Sequence, residues 1–216
     1  MTFKTVLFDF DGTIADSNQL ISESHFVVMQ ENFPGRFQKS DMPQFNGPSL
    51  EEIYGTLDFN RKDELIARYR EVMLEKHDEM ISIFPGIKEL LKKLHQEGIS
   101  MGVVSTKRKD VLKQGVDLLG ITEYFDTIIG SGDFIHPKPN PESLLLAMDL
   151  LKADKETSVM VGDNHHDILA GNNAGVASVF VGWSEKTTAF IKPYNPSKIV
   201  GNPKELEEFI LSNRRG

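Results

Sequence analysis

Short continuous runs of apolar residues recur along the chain, each followed by a polar or glycine break and then by a stretch with helical spacing. The apolar runs are Thr5–Phe10, Ser100–Ser105, Thr127–Gly130, Ser158–Gly162 and Ala177–Val181. Because these runs are continuous rather than alternating, they are typical of strands that are buried on both faces of a sheet. Strands separated by helices predict βαβ units, and therefore an α/β fold with a parallel sheet.

Helical periodicity predicts a helix after each of several strands. These predicted helices are Gly86–Glu97, Lys109–Leu119, Pro141–Leu151, Asp167–Ala174 and Pro203–Leu211. Two of them carry a start signal, because Asn140 and Asn202 each stand directly before a proline. An asparagine at the N-cap followed by proline at the first helical position is a favoured beginning of a helix.

One long segment, from about Asp16 to Ile83, contains no convincing strand. Its helical patterns are Ser22–Asn32, Ser49–Tyr54 and Arg61–Met80. The segment is much longer than a crossover connection between parallel strands needs. We therefore predict an all-α insert at residues 17–82 and an α/β core at residues 1–16 and 83–216. The alternative is that one or two of these helices pack directly on the sheet.

Composition excludes several classes of protein. The 216 residues include 24 Lys and Arg against 32 Asp and Glu, a net charge of −8, and no cysteine. An acidic chain is a poor ligand for nucleic acid or an anionic membrane, although one pocket can still be basic. The lack of cysteine excludes disulfides, a thiolate nucleophile and a cysteine-based zinc site. Neither a signal-peptide core nor a membrane-spanning apolar run is visible, so we expect a cytoplasmic enzyme.

Candidate reactive side chains follow the predicted strands. They are Asp9 and Asp11 after the first strand, Ser105 and Thr106 after the second, Lys138 in the loop after the third, and Asp163 and Asp167 after the fourth. The carboxyl ends of parallel strands form the ligand edge of such a sheet. Clustered carboxylates repel one another unless a cation lies between them, and oxygen ligands suit Mg²⁺. With Ser105 and Lys138 holding phosphoryl oxygens, the set indicates phosphoryl transfer, for which a carboxylate can be the nucleophile.

The same residues resemble the motifs of the haloacid-dehalogenase-like phosphatases. Asp9-Phe10-Asp11-Gly12-Thr13 matches the D-x-D-G-T signature. Ser105, Lys138 in a K-P-x-P setting, and Gly162-Asp163 with Asp167 match the other three motifs in order. The resemblance implies a Rossmann-like core with strand order 3-2-1-4-5, helices on both faces, and a helical cap inserted between the first two motifs. Within the family, the chain is most similar to bacterial pyrophosphatases and phosphoglycolate phosphatases.

The resemblance also implies roles for the carboxylates. Asp9 would be the nucleophile and would bind Mg²⁺. Asp11 would act first as general acid and then as general base, with its backbone carbonyl on the metal. Asp163 would bind the metal, and Asp167 would support the metal site directly or through water.

Ser105, Thr106 and Lys138 are expected, on the same resemblance, to bind the phosphoryl group. The expected substrate is inorganic pyrophosphate. The alternatives are phosphoglycolate or another small phosphomonoester, and phosphoryl transfer of the phosphoglucomutase type. A phospho-accepting signalling domain uses a similar acidic pocket, but it has no cap-sized insert and is phosphorylated after its third strand. A catalytically idle scaffold would not need all four motifs.

Other polar residues near the motifs have structural interpretations. Asp167 could equally be the N-cap of the helix that follows it. The adjacent His165 and His166 are expected to point apart and to be spacer or helix-start residues rather than to bind zinc. Arg36, Lys39 and Lys107 could meet the far end of a substrate, but each is interpreted as a surface cation.

Overall fold

Strands and helices alternate along most of the structure, a computed structural model that describes residues 2–212. Its strands are β1 (Thr5–Phe8), β2 (Ala15–Asp16), β3 (Ser82–Ile83), β4 (Ser100–Arg108), β5 (Thr127–Ser131), β6 (Ser158–Gly162), β7 (Ala177–Val181) and β8 (Lys198–Val200). Its helices are α1 (Asn18–Asn32), α2 (Leu50–Leu57), α3 (Lys62–Met80), α4 (Ile87–Gln96), α5 (Lys109–Leu118), α6 (Glu142–Leu151), α7 (His165–Ala174), α8 (Thr188–Ile191) and α9 (Pro203–Leu211). None of these helices combines the length and the apolar character that crossing a membrane requires.

A parallel sheet of six strands, in the order β5-β4-β1-β6-β7-β8, carries the first of two units. Strand β1 lies inside the sheet, between β4 and β6. The predicted α/β fold is confirmed, because all five predicted strands are present in the predicted order. Strand β8 is an additional edge strand that extends this order by one.

Both faces of the sheet are buried, as the continuous apolar runs predict. Val6 and Phe8 of β1 belong to one apolar cluster with Leu94 of α4. Leu7, which points to the opposite face, belongs to another cluster with Leu144 of α6. Successive residues of a strand point to opposite faces, so a buried central strand must be apolar throughout.

The second unit is helical and consists of Asp16–Ser82, while residues up to Ala15 and from Ile83 onward form the first. Helix α1 begins at Asn18, four positions before the predicted start at Ser22. Helix α2 begins as predicted, with the Ser49 side chain accepting a hydrogen bond from the Glu52 N–H. The interpretation of this unit as a cap remains a prediction.

A buried histidine lies among the helices of this second unit. The Nδ1 atom of His25 lies 3.0 Å from the hydroxyl of Tyr54. The His25 ring also packs against Tyr69, with ring centroids 4.4 Å apart. Burial lowers the pKa of His25 to about 3, so the imidazole is neutral.

Two predicted helix starts are close to those in the structure. Asn202 caps α9 by accepting a hydrogen bond from the Glu205 N–H at 3.0 Å. Helix α6 begins at Glu142, one residue later than predicted, and the Asn140 side chain accepts from the Glu142 N–H at 3.0 Å. The predicted cap is thus confirmed for α9, whereas in α6 the cap position is taken by Pro141 rather than by the predicted Asn140.

Candidate active site

Asp9 stands at the point where the central strand ends and the chain turns. Its N–H donates to the carbonyl of Val161 at 2.8 Å, which continues the register between β1 and β6 by one residue. The next residue ends the strand, because the carbonyl of Phe10 accepts hydrogen bonds from the N–H groups of Thr13, Ile14 and Ala15. Strand β1 thus stops at Phe8 rather than at the predicted Phe10, and the Asp9 side chain is held at the carboxyl edge of the sheet.

Three buried carboxylates meet at this edge. Asp9, Asp163 and Asp167 each offer an oxygen, and these oxygens lie within 4.8 Å of one another. Burial is the main cause that raises the pKa of Asp163 to about 6. Burial also raises the pKa of Asp9 well above its ordinary value, with a further contribution from the charges of Asp167 and Asp163. An all-oxygen donor set with this much repulsion fits a hard divalent cation such as Mg²⁺.

Lys138 lies against two members of this carboxylate triad. Its Nζ donates to Asp9 Oδ1 at 2.7 Å, to Asp167 Oδ1 at 2.5 Å and to the carbonyl of Val104 at 3.0 Å. Burial lowers the pKa of Lys138, but the charges of Asp167 and Asp9 more than offset this and raise it overall. The side chain is therefore an ammonium at neutral pH, although it is only 5% exposed.

The loop that carries Lys138 is fixed from both sides. Upstream, the Glu142 carboxylate accepts hydrogen bonds from the N–H groups of Ile135 at 2.8 Å and His136 at 3.0 Å. Downstream, the Asn173 side chain donates to the carbonyl of Pro139 at 3.0 Å. The position of the ammonium thus depends on α6 and α7, which anchor the loop.

Asp167 is the third residue of α7, so its interpretation as an N-cap is wrong. The cap is Asn164, whose side chain accepts from the His166 N–H, while Asp167 Oδ2 accepts from the Asn164 N–H at 3.0 Å. This reciprocal arrangement is a capping box, in which the third helical residue reaches back to the cap. The other Asp167 oxygen remains available to Lys138.

Helix α7 begins at His165, two residues before the predicted start at Asp167, so His165 and His166 are helix-start residues, but they do not point apart. Their ring centroids are 3.9 Å apart, and the His165 ring also stacks on Tyr194. Only one group of three or more acidic, histidine or cysteine side chains among residues 2–212 could hold a metal ion, and it is the carboxylate triad. Neither His165 nor His166 belongs to it. The pair therefore belongs to an aromatic cluster.

Asp11 lies outside the carboxylate triad and pairs with Lys107. The Lys107 Nζ donates to both Asp11 oxygens, at 3.0 and 3.2 Å. Lys107 is only 9% exposed, so its interpretation as a surface cation is wrong. The sequence signal for this burial was the position of Lys107, two residues beyond Ser105. Strand β4 continues to Arg108, and alternate residues of a strand point to the same face.

The remaining predicted phosphate ligands lie at the same end of β4. Ser105 is buried, and its hydroxyl accepts a hydrogen bond from the Lys107 N–H at 3.2 Å. Thr106 is half-buried. One further contact was not predicted from the sequence: Ser184, after β7, donates its hydroxyl hydrogen to Asp163 Oδ2 at 2.7 Å. The structure thus brings Asp9, Lys138, Asp163 and Asp167 into direct contact or near contact and places Asp11 with Lys107.

Comparison with known proteins gives consistent matches over nearly the whole chain. A family model described as haloacid dehalogenase-like hydrolase matches residues 6–181. A protein named pyrophosphatase PpaX from Oceanobacillus iheyensis is 38% identical over 206 residues, which cover 95% of this chain and 96% of the relative. A protein of the same name from Bacillus cereus is 36% identical over 213 residues, covering 99% and 98%. The crystal structure of a haloacid dehalogenase-like hydrolase from Bacteroides fragilis is 28% identical, with a TM-score of 0.90, and covers 95% of this chain and 100% of its own.

Proposed function

Since this chain belongs to the haloacid dehalogenase-like hydrolases and is a phosphatase, we propose that it hydrolyses inorganic pyrophosphate through an acyl phosphate on Asp9. The observation that carries the proposal is the buried contact between the Lys138 ammonium and the Asp9 carboxylate, inside a triad of carboxylates. Both pyrophosphatases named above match the chain along almost its full length. Their name supports pyrophosphate as the substrate.

Asp9, Asp163 and Asp167 would hold Mg²⁺, whose positive charge offsets that of the carboxylates and of an incoming phosphate. Lys138 already balances part of this charge and stands where it can donate to a phosphoryl oxygen. Ser105 supplies a second, neutral donor near the end of β4. These groups favour an anion at a site that would otherwise repel it.

The reaction then takes two displacements at phosphorus. An Asp9 oxygen bonds to phosphorus while the bond to the leaving oxygen breaks, and Asp11 gives that oxygen a proton. In the second step Asp11 takes a proton from water, whose oxygen bonds to phosphorus as the bond to Asp9 breaks. The products are two phosphate ions when the substrate is pyrophosphate, and Asp9 and Asp11 return to their starting states.

We also propose that the helical unit is the substrate-selecting cap. The support for this proposal is the position of the unit in the sequence. The chain leaves the sheet unit after Ala15, directly beyond the first motif, and returns to it at Ile83. The haloacid-dehalogenase-like phosphatases, which the motifs resemble, carry their cap as an insert at this position. Specificity would then depend on residues 17–82 as well as on the strand ends.

The test is phosphate release in the presence of Mg²⁺ from pyrophosphate, phosphoglycolate and p-nitrophenyl phosphate. Asp9→Asn keeps the shape of the side chain and should lower turnover by on the order of 10³-fold or more. The matched control is Asp154→Asn, an exposed aspartate that precedes β6 and belongs to none of the motifs, and it should behave as wild type. Mass spectrometry of acid-quenched enzyme should find phosphate on the peptide that contains Asp9. Activity that survives in Asp9→Asn contradicts the mechanism, whereas a preference for a monoester contradicts only the substrate.

A further inference from the structure

Lys107 is a buried cation for which the two displacement steps require no role. Its side chain is 4% exposed, while that of its partner Asp11 is 19% exposed. The ammonium also lies 5.9 Å from the centroid of the Phe10 ring. Burying an ammonium is costly, and one carboxylate that is partly open to solvent repays this cost only in part.

The two lysines of the site serve different carboxylates. Lys138 contacts Asp9 and Asp167, on the side where the phosphoryl group would be transferred. Lys107 contacts Asp11, the residue proposed to protonate the leaving oxygen. With Asp11 as the proton donor, the Lys107 ammonium beside it would lie on the leaving-group side of the reacting phosphorus.

The cations next to Lys107 in the sequence are paired away from Asp11. Arg108 bonds to Asp110 at 2.5 Å and is 40% exposed. Lys109 bonds to Asp133 at 2.7 Å. Lys107 thus differs from both in its burial and in its partner.

We propose that Lys107 makes this phosphatase select substrates whose leaving group is itself an anion, such as the phosphate of pyrophosphate or the glycolate of phosphoglycolate. The proposal rests on the proposed function, since it uses the role of Asp11. An ammonium has three N–H donors, and the contacts with the two Asp11 oxygens leave capacity for one oxygen of a charged leaving group. A charge-assisted hydrogen bond in a buried setting favours an anion over a neutral group of the same size.

The experiment compares substrates in matched pairs. Phosphoglycolate is paired with 2-hydroxyethyl phosphate, which has a hydroxymethyl group in place of the carboxylate. 3-Phosphoglycerate is likewise paired with glycerol 3-phosphate, in which a hydroxymethyl group replaces the carboxylate and the leaving group is uncharged. The kcat/KM of each is measured for wild type, Lys107→Gln, Lys107→Arg and the exposed-cation control Arg108→Gln, with the melting temperature of each variant as a check of folding.

Wild type should prefer the anionic member of each pair. Lys107→Gln should lower kcat/KM for that member by at least about tenfold more than for its neutral partner. Lys107→Arg keeps the charge and should retain most of the preference, and Arg108→Gln should leave it unchanged.

Equal losses for both members of a pair would show that Lys107 only positions Asp11, and would overturn the proposal. A wild type without any preference would overturn it as well. If no substrate, including p-nitrophenyl phosphate, gives turnover that depends on Asp9, the proposed function has failed. Failure of the inference alone leaves that dependence on Asp9 intact.

Discussion

Gly162 and Asp167 lie so close together that a Cβ atom on residue 162 would overlap the Asp167 side chain. The overlap is with the Asp167 Cβ and carboxylate, which also contact Asn164 and Lys138. The last residue of β6 therefore leaves the space through which this carboxylate reaches the site. The φ of Gly162 lies outside the left-handed region, so the glycine is required by this close approach rather than by its backbone conformation.

Gly162→Ala should accordingly displace Asp167. We expect a loss of about 1–3 kcal/mol in the free energy of unfolding, the range found for overpacked cores. Because the displaced carboxylate contacts Lys138, turnover should also fall, by roughly tenfold or more. Chemical denaturation and phosphate release measure the two effects.

The matched control is Gly55→Ala in α2. A Cβ atom there would lie 3.5 Å from the Lys62 side chain, an ordinary contact. Alanine is the better helix former, so this variant should be as stable as wild type or more stable by up to ~1 kcal/mol. If Gly162→Ala behaved in the same way, the account of Asp167 would be wrong.

Asp163→Asn should stabilise the protein when no metal is bound. Because burial raises the pKa of Asp163 to about 6, the folded state holds this proton more tightly than the unfolded state. The ionised group is thus a destabilising contribution that grows as pH rises from 3.8 to about 6 and stays at its maximum above that range. At pH 8 with a chelator, Asp163→Asn should therefore melt at a higher temperature than wild type.

The same variant should lose its response to Mg²⁺. In wild type, Mg²⁺ should raise the melting temperature at pH 8, and less so below pH about 6, where protons compete for Asp163. Asp163→Asn should show little of this increase, whereas Asp154→Asn should show all of it. A full Mg²⁺ response in Asp163→Asn would exclude this carboxylate as a ligand.

The buried His25 should make the protein less stable as the pH falls, which is the opposite of the effect of Asp163. Burial lowers its pKa to about 3, so below pH 6.5 the unfolded state binds a proton that the folded state does not. The resulting loss of stability at pH 5 is about 2 kcal/mol. We expect His25→Gln to remove that part of the decrease in urea unfolding free energy between pH 7 and pH 5. The exposed His95→Gln is the control, and a pH dependence identical in all three proteins would refute this role.

Glu142 should influence catalysis without touching the triad. Glu142→Ala removes the acceptor for the Ile135 and His136 N–H groups and so loosens the loop that holds Lys138. We expect turnover to fall about threefold to tenfold, since small displacements of a positioned group are costly. Glu142→Gln keeps one acceptor oxygen, so its turnover should lie between that of wild type and that of Glu142→Ala. The control is Glu156→Ala, on an exposed turn, which should have no effect on turnover. If Glu142→Ala also had no effect, the loop would be rigid without Glu142 and this role would be wrong.

Features with an unambiguous local signal could be predicted from the sequence. The five predicted strands, β1, β4, β5, β6 and β7, were found because each contains a continuous apolar run. Strand β8 was not, because it has three residues and begins with an exposed lysine, Lys198. The burial of Lys107 was missed for a related reason: the apolar run ends at Ser105, yet the strand continues through polar residues to Arg108. The extent of a strand beyond its apolar part depends on its neighbours in space, which a single sequence does not display.

The chain order of the strands has a consequence for how the enzyme is made. The ribosome produces β1 before either of its neighbours in the sheet, since Thr5 pairs with Ser100 on one side and with Ser158 on the other. Asp9, the candidate nucleophile, therefore emerges from the ribosome long before Lys138 or Asp163 has been synthesised. Such long-range pairing delays folding until late in synthesis. An unfinished chain that ends before β6 cannot build the site, so the phosphatase stays inert until β6 and α7 have been synthesised.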